Sequence, residues 1–241
     1  MPLMRFVKIP RVAQLLLREV GRLARQRGRS AYVVGGCVRD WMLGIRHVMD
    51  LDVTIEQEGL VVARALAEAF HGTVEIHEQF LTATVTLTRM PASIDVATCR
   101  KETYARPAAY PRVVSGTLRD DLFRRDFTIN AMAAIISPER FGHMVDPFHG
   151  ERDLRSHRLR VLHDRSFLDD PSRILRGVRF AQRFGCHWER KTQQLLRAAI
   201  AAGALAWLNE GRLVREFERM LKEPRPARCF QDLLRLLNGH S

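Results

Sequence analysis

Cysteine is scarce in this sequence, lysine scarcer, and long apolar runs are missing. The four cysteines (Cys37, Cys99, Cys186 and Cys229) lie far apart with no C-x-x-C pair. That argues against a zinc site or a disulfide framework and suits a reducing compartment. The longest apolar runs fall far short of the roughly 18–20 residues that cross a bilayer, so no transmembrane helix is expected. The opening stretch, MPLMRFVKIPRVAQLLLREVGRLARQRG, holds a short apolar patch that Glu19 and several arginines interrupt. It lacks a signal peptide's apolar region and small-residue cleavage site. An amphipathic helix in a cytoplasmic protein is the expectation. Only 4 of the 39 basic residues are lysine; the other 35 are arginine, whose planar fork matches phosphate oxygens. Codon usage in a GC-rich genome also favours arginine, but it does not account for the net charge of +12. That excess points to an anionic partner, nucleic acid first.

What is present suffices for a core. At 241 residues with 46% hydrophobic content, the chain suits one large or two small domains. There is no internal repeat and no low-complexity linker. A helical pattern over 12–27 leads into "AYVVGG", a short buried strand ending in glycines. "LDVTIE", "TVEIHE", "ATVTLTR" and "SIDVATC" read as strands, and "LVVARALAEAF" as a helix stopped by Gly72. "AAII" ahead of Pro138 is expected to close this mixed sheet. Beyond about Gly150 the strand signals stop. "SFLDDPSRILRGVRFAQRFG", "RKTQQLLRAAIAAGALAWL", "GRLVREFERMLKE" and "PARCFQDLLRLLNG" are helical by spacing. The expected class is α+β: a sheet-containing domain over 1–150 and an all-helical segment over 151–241, whose last helix has little left to pack on.

Three groups of residues could carry chemistry. In the first, Gly35 and Gly36 sit at a strand-to-helix turn, where backbone N–H groups can approach phosphate, and Arg39 follows in the first turn. An ordinary strand-turn-helix would look the same. The "DLD" downstream adds a reason for function: Asp50 and Asp52 share one face of a strand. Two such carboxylates are costly together unless a cation such as Mg²⁺ offsets them. Asp95, on another strand, could complete the set, which makes metal-assisted phosphoryl or nucleotidyl transfer the favoured reading. The second group is Arg124, Arg125 and Asp126, beside an apolar, helix-like run. It could hold a ribose and phosphates, or be a surface salt bridge. The third is "DDPSRILRGVRFAQRFG". Asp169 or Asp170 is placed to cap a helix with Pro171 in its first turn. Arg173, Arg176, Arg179 and Arg183 gather opposite the apolar side, the usual pattern of a solvated basic face. The Asp170–Arg173 spacing, an acceptor and a donor one turn apart, also suits reading a base edge, with the other arginines taking a triphosphate.

Together these motifs resemble the class II tRNA nucleotidyltransferase and bacterial poly(A) polymerase family, within the polymerase-β-like nucleotidyltransferase superfamily. "GGCVRDWMLG…DLD", "IDVATCRKETY", "DDLFRRDFTINAMA", "DPFHGERDL" with "LRV", and "DDPSRILRGVRFAQRFG" occur in the family's order over about residues 30–190. The resemblance implies a catalytic head followed by a helical neck. Asp50 and Asp52 would be the carboxylates of a two-Mg²⁺ site, with Asp95 a third acid. Gly35, Gly36 and Arg39 would meet the triphosphate, and Arg125 and Asp126 the ribose. Asp170 and Arg173 would select the base of ATP or CTP, and Arg176 and Arg179 would complete nucleotide binding. The implied reaction adds C and/or A to the 3′ end of tRNA without a template. Poly(A) synthesis, or a non-catalytic RNA-binding relic, is the alternative. The segment "ETYARPAAYPRVVSGTLRDD" is where a flexible, specificity-setting loop is expected. Asp169 and Gly211 stand where the family usually has Glu. The chain also ends at Ser241, where relatives continue into body and tail domains. A fragment of a longer product, or a compact form, is therefore expected.

Overall fold

Apolar residues recurring every three to four positions make Arg11–Gln26 (α1) a helix that buries Leu16, Leu17, Val20 and Leu23. The computed structural model describes residues 6–46, 50–88 and 93–239. After α1 come β1 (Ala31–Val34), α2 (Gly36–Met42), β2 (Asp50–Ile55), α3 (Gly59–Ala69), β3 (Thr73–His77), β4 (Thr82–Thr86) and β5 (Ser93–Thr98). Then follow β6 (Arg100–Thr103), β7 (Arg112–Ser115), α4 (Leu118–Phe123), β8 (Ala133–Ile135), β9 (Met144–Val145) and α5 (Gly150–Arg155). The later elements are β10 (Arg158–Leu159), α6 (Ser166–Asp169), α7 (Ser172–Phe184), β11 (His187–Trp188), α8 (Arg190–Ala201), α9 (Glu210–Leu221) and α10 (Pro226–Leu237). Residues 47–49, within the first quoted motif, and Ser241, the end of the chain, lie outside the described residues. No helix among those described is long and apolar enough to cross a membrane.

The chain forms two units that interleave in sequence. The first takes the described residues up to Glu102, Val113–Arg125 and Asn130–Glu151. Thr103–Arg112, Asp126–Ile129 and the described residues from Arg152 onward make the second.

In the first unit seven strands run in the order β3-β4-β5-β2-β1-β8-β9. Only β2 and β5 are parallel, so the sheet is mixed, as the class requires. Alternation along β2 and β5 buries Leu51, Val53, Ile94 and Val96 and turns the intervening residues to the other face. The segment "AAII" does not close the sheet. As β8 it pairs with β1 on one side and β9 on the other. The helix-like run "FTINAMA" is a single 3₁₀ turn over Thr128–Asn130 leading into that strand.

In the second unit helices dominate, with one short parallel pair, β10 and β11, where no strand was expected. The run "SFLDDPSRIL" is not one helix. Pro171 cannot supply an N–H, and the chain breaks between α6 and α7. Leu175 and Val178 of α7 pack with Met220 of α9 and with Cys229 and Leu233 of α10, so α10 is not short of partners. Phe127 is fully buried against Phe180 and Trp188. Gly177 admits Trp188 so closely that a Cβ there would lie 2.1 Å from its ring.

Candidate functional site

In the first unit the parallel register sets Asp52 of β2 directly opposite Asp95 of β5, with Asp50 opposite Ser93. Strand alternation puts all three acids on the sheet face away from Leu51, Val53, Ile94 and Val96. Ser93 Oγ donates to Asp50 Oδ1 at 3.2 Å, and Thr84 Oγ1 donates to Asp95 Oδ1 at 2.6 Å. Burial pushes the Asp52 carboxyl above its ordinary 3.8; Arg125 pulls it back, while Asp95 and Asp50 push it further up. Nearby positive charge would favour its ionised form. Among the described residues no group of three or more His, Cys, Asp or Glu is arranged to hold a metal by itself.

Gly35 ends β1 with φ +74°, a conformation that L side chains rarely adopt. It is also needed for space, since a Cβ there would come within 2.5 Å of Arg125 Nη1. The Arg125 fork therefore lies against the glycine turn, and among the described residues its buried Nε has no hydrogen-bond partner. Asp121, with no exposed surface, holds the pair of arginines at the end of α4. Arg124 donates to its Oδ1 at 2.9 and 3.1 Å, and Arg125 to its Oδ2 at 3.2 Å. Glu102 takes another Arg124 N–H at 3.0 Å. Arg39 is 4% exposed and is tied to Asp40 at 2.9 Å and to Asn130. It braces the turn rather than standing open beside it.

In the second unit Asp126 accepts two bonds from Arg176 and one from the Phe127 N–H. Arg125 and Asp126 are neighbours in sequence, but their side chains answer to different partners. Asp170 Oδ1 accepts from Ser172 N at 3.0 Å, from Ser172 Oγ at 2.6 Å and from Arg212. It caps the start of α7 as expected. Arg173 Nε lies 4.0 Å from Asp170 Oδ2, an ion-pair distance beyond hydrogen-bond reach. Arg173 is only 4% exposed, and its Nη1 donates to Ser166 Oγ at 2.7 Å. The arginine stripe of α7 is solvated only at Arg183; Arg173 and Arg179 are buried and Arg176 is part-buried. Arg179 lies 3.8 Å from Glu216 and 3.3 Å from Glu223, Arg183 donates to Glu223 at 2.7 Å, and Arg176 lies 3.9 Å from Glu216. Burial of α7 against α9 left these cations needing partners, and the acids supply them.

Of the expected flexible loop, residues 103–112 are anchored within the second unit rather than loose. Ala108 N donates to Leu168 O at 3.0 Å, Arg212 Nη1 donates to Ala108 O at 3.2 Å, and Asn209 donates to the Tyr110 hydroxyl at 3.3 Å. Asp121, Arg212, Glu216 and Glu223 were not singled out by the sequence. Asp121 and Arg212 carried a signal, an acid three and four residues before two arginines and an arginine one turn into a helix. Glu216 on α9 and Glu223 just beyond its end carried no signal that separates them from ordinary surface charge.

Each unit thus carries its own chemistry: a carboxylate face beside a glycine turn and an arginine fork in the first, a half-buried acid beside a buried arginine at a helix start in the second. Residues 31–160 match the family described as the Poly A polymerase head domain. The A-adding tRNA nucleotidyltransferase of Halalkalibacterium halodurans is 40% identical over 220 residues, covering 90% of this chain and 51% of that protein. The CC-adding tRNA nucleotidyltransferase of Deinococcus radiodurans is 37% identical over 207 residues, covering 86% and 53%. This chain spans about half the length of these two relatives. A solved CCA-adding enzyme, in its apo form II, superposes with a TM-score of 0.90 at 37% identity, covering 100% of this chain and 58% of that one. A Thermotoga maritima CCA-adding enzyme complexed with tRNA gives a TM-score of 0.86 at 36% identity, covering 100% and 56%.

Proposed function

The chain belongs to the poly(A) polymerase head-domain family, and from that premise we propose that it is the catalytic part of a template-independent RNA nucleotidyltransferase. Its substrates are CTP and/or ATP and the 3′ end of tRNA. The unit that holds the sheet acts as the catalytic head and the helical unit as the neck; the division expected at residue 150 is crossed by 103–112 and 126–129. The observation that carries this reading is the carboxylate face, Asp50, Asp52 and Asp95 in register across β2 and β5.

Two hard-oxygen side chains completed by a nucleotide's phosphates are what Mg²⁺ commonly uses, in preference to an all-protein cage. The donor set fits, and Asp52, whose charge burial disfavours, gains most from a cation beside it. Asp50 and Asp52 would hold Mg²⁺, which supplies charge to acidify the RNA 3′-hydroxyl and to neutralise the departing pyrophosphate, in a two-metal manner. Asp95, fixed by Thr84, keeps negative charge on the same face. The 3′-hydroxyl attacks the α-phosphate in line, and pyrophosphate leaves. Arg125, with an unsatisfied buried Nε, offers its fork to the triphosphate or ribose beside the Gly35–Gly36 turn. Arg39 holds that turn in shape. Adenine and cytosine each present an amino donor beside a ring-nitrogen acceptor, which Asp170 and Arg173 complement. Asp126, Arg176 and Arg179 keep α7 charged and fixed behind this pair. The four free cysteines accord with a cytoplasmic, reducing setting.

Incubation with Mg²⁺, labelled ATP or CTP, and tRNAs ending before CCA, after C or after CC tests this. Label should enter at least one substrate, and the pattern identifies which nucleotides are added. Label in none, with folded protein, removes the enzymatic reading in favour of RNA binding alone. Poly(A) synthesis, the activity in the family's description, is the alternative and would appear as long tails made from ATP alone.

A further inference from the structure

One titratable side chain outside the residues assigned above is built against Arg173. His163 lies in the turn before α6, where its carbonyl accepts from Ser166 N at 3.1 Å. Its Nε2 is 3.5 Å from Arg173 Nη1, the same nitrogen that donates to Ser166 Oγ. Its Nδ1 is 4.0 Å from Asp169 Oδ2. A guanidinium has donors and no acceptor, so an imidazole nitrogen that meets it must present a lone pair. The contact suits a neutral ring with Nε2 as acceptor, which leaves the proton on Nδ1, the side on which Asp169 lies.

We propose that neutral His163 is a positioning residue: together with Ser166 it sets the orientation of the Arg173 fork, so that choice of the incoming base depends on whether His163 carries a second proton. This rests on the reading of Arg173 as a base-selecting group. A protonated ring would turn Nε2 from acceptor into donor and set a cation against a cation. Burial holds the imidazole below its ordinary 6.5, and Arg173 lowers it further. Asp169 and Asp164 act the other way, and Arg165 with Arg173. Asp164 is itself paired with Lys191 of α8 at 2.5 Å, and Arg165 with Asp169 at 3.2 Å, so both neighbouring acids are already committed to cations. The switch therefore belongs to mildly acid solution, with base selection intact at neutral pH.

The test uses the full chain and two measurements between about pH 5.5 and 8. Imidazole proton resonances give the titration midpoint of His163, and calorimetry gives the affinities for ATP, CTP and GTP. The His163 midpoint should lie below 6.5 and rise in R173A. Preference for ATP or CTP over GTP should fall about tenfold as the ring is protonated, the equivalent of one lost hydrogen bond. H163Q, whose Oε1 accepts at every pH, should keep the preference and lose its pH dependence; H163A should lose both. A wild-type pH profile in H163Q, or a midpoint unmoved in R173A, overturns the proposal. If wild type shows no preference, or R173A keeps it, base reading by Arg173 fails, and with it the selective role of His163. The midpoint still reports separately whether the two side chains are coupled.

Discussion

Asp52→Ala removes a carboxylate from the sheet face without opening the core beneath it, so nucleotide transfer should stop while RNA affinity, measured by filter binding, stays nearly unchanged. Retained transfer would exclude Asp52 as a metal ligand. Arg173→Ala carries a second cost. Its fork is buried and bonded to Ser166, so relaxed base choice should come with about 1–3 kcal/mol of lost stability in urea unfolding. The helical wheel placed Arg173 on a polar side and made only the first effect expected. The sequence showed which residues were charged, but it could not show that Glu216 and Glu223, some forty residues away, would enclose them. Asp50, Asp52 and Asp95 were legible because strand alternation is local and β-branched neighbours identified both strands. Asp121 gives a prediction in pH. Burial pushes its carboxyl up, but Arg124 and Arg125 outweigh that and hold it below its ordinary 3.8. The unfolded chain then takes up this proton first. The stability Asp121 contributes is complete above about pH 4 and is lost as pH falls through its lower folded value. Asp121→Asn should be less stable at neutral pH yet flatter in its stability profile below pH 4.

Helix α7 gathers the largest mismatch between pattern and packing. Its apolar side was readable from Ile174, Leu175 and Val178, all buried as expected. The glycine in its middle was not, because the reason for it is a tryptophan on β11 that no local pattern connects to α7. Trp188 is held between Phe127 and Phe167 and has little room to withdraw. Gly177→Ala, favourable in an isolated helix, should therefore destabilise the protein by about 1–3 kcal/mol, visible as a lower thermal midpoint. An unchanged or raised midpoint would show that the aromatic cluster yields. Strand β8 was expected from "AAII", but its place inside the sheet was not: its outer neighbour β9 is only Met144–Val145, too short for a period-2 signal.

At the scale of the chain, the net charge is the feature that points most directly to the proposed RNA partner. A net charge of +12 predicts RNA binding that weakens steeply with salt. A slope near zero in log affinity against log salt would show that the charge serves something other than phosphate. The change of texture near residue 150 was legible; the interleaving was not, since 103–112 and 126–129 differ little in composition from their surroundings. A fragment of residues 1–150 would carry Phe127 without Phe180 and Trp188. It should bind hydrophobic dye and elute as aggregates, whereas the full chain should do neither.

The same interleaving sets a timetable for the ribosome. Strand β8 can join β1 once residue 135 has emerged, but the neighbouring stretch 126–129 must wait for Trp188, about sixty residues later. At about 5–20 residues per second that is roughly 3–12 s in which a fully apolar ring has been made and has nowhere to go. Whatever occupies Phe127 during that interval, a chaperone or a passing contact within the nascent chain, takes part in making this protein though it has no place in the finished one.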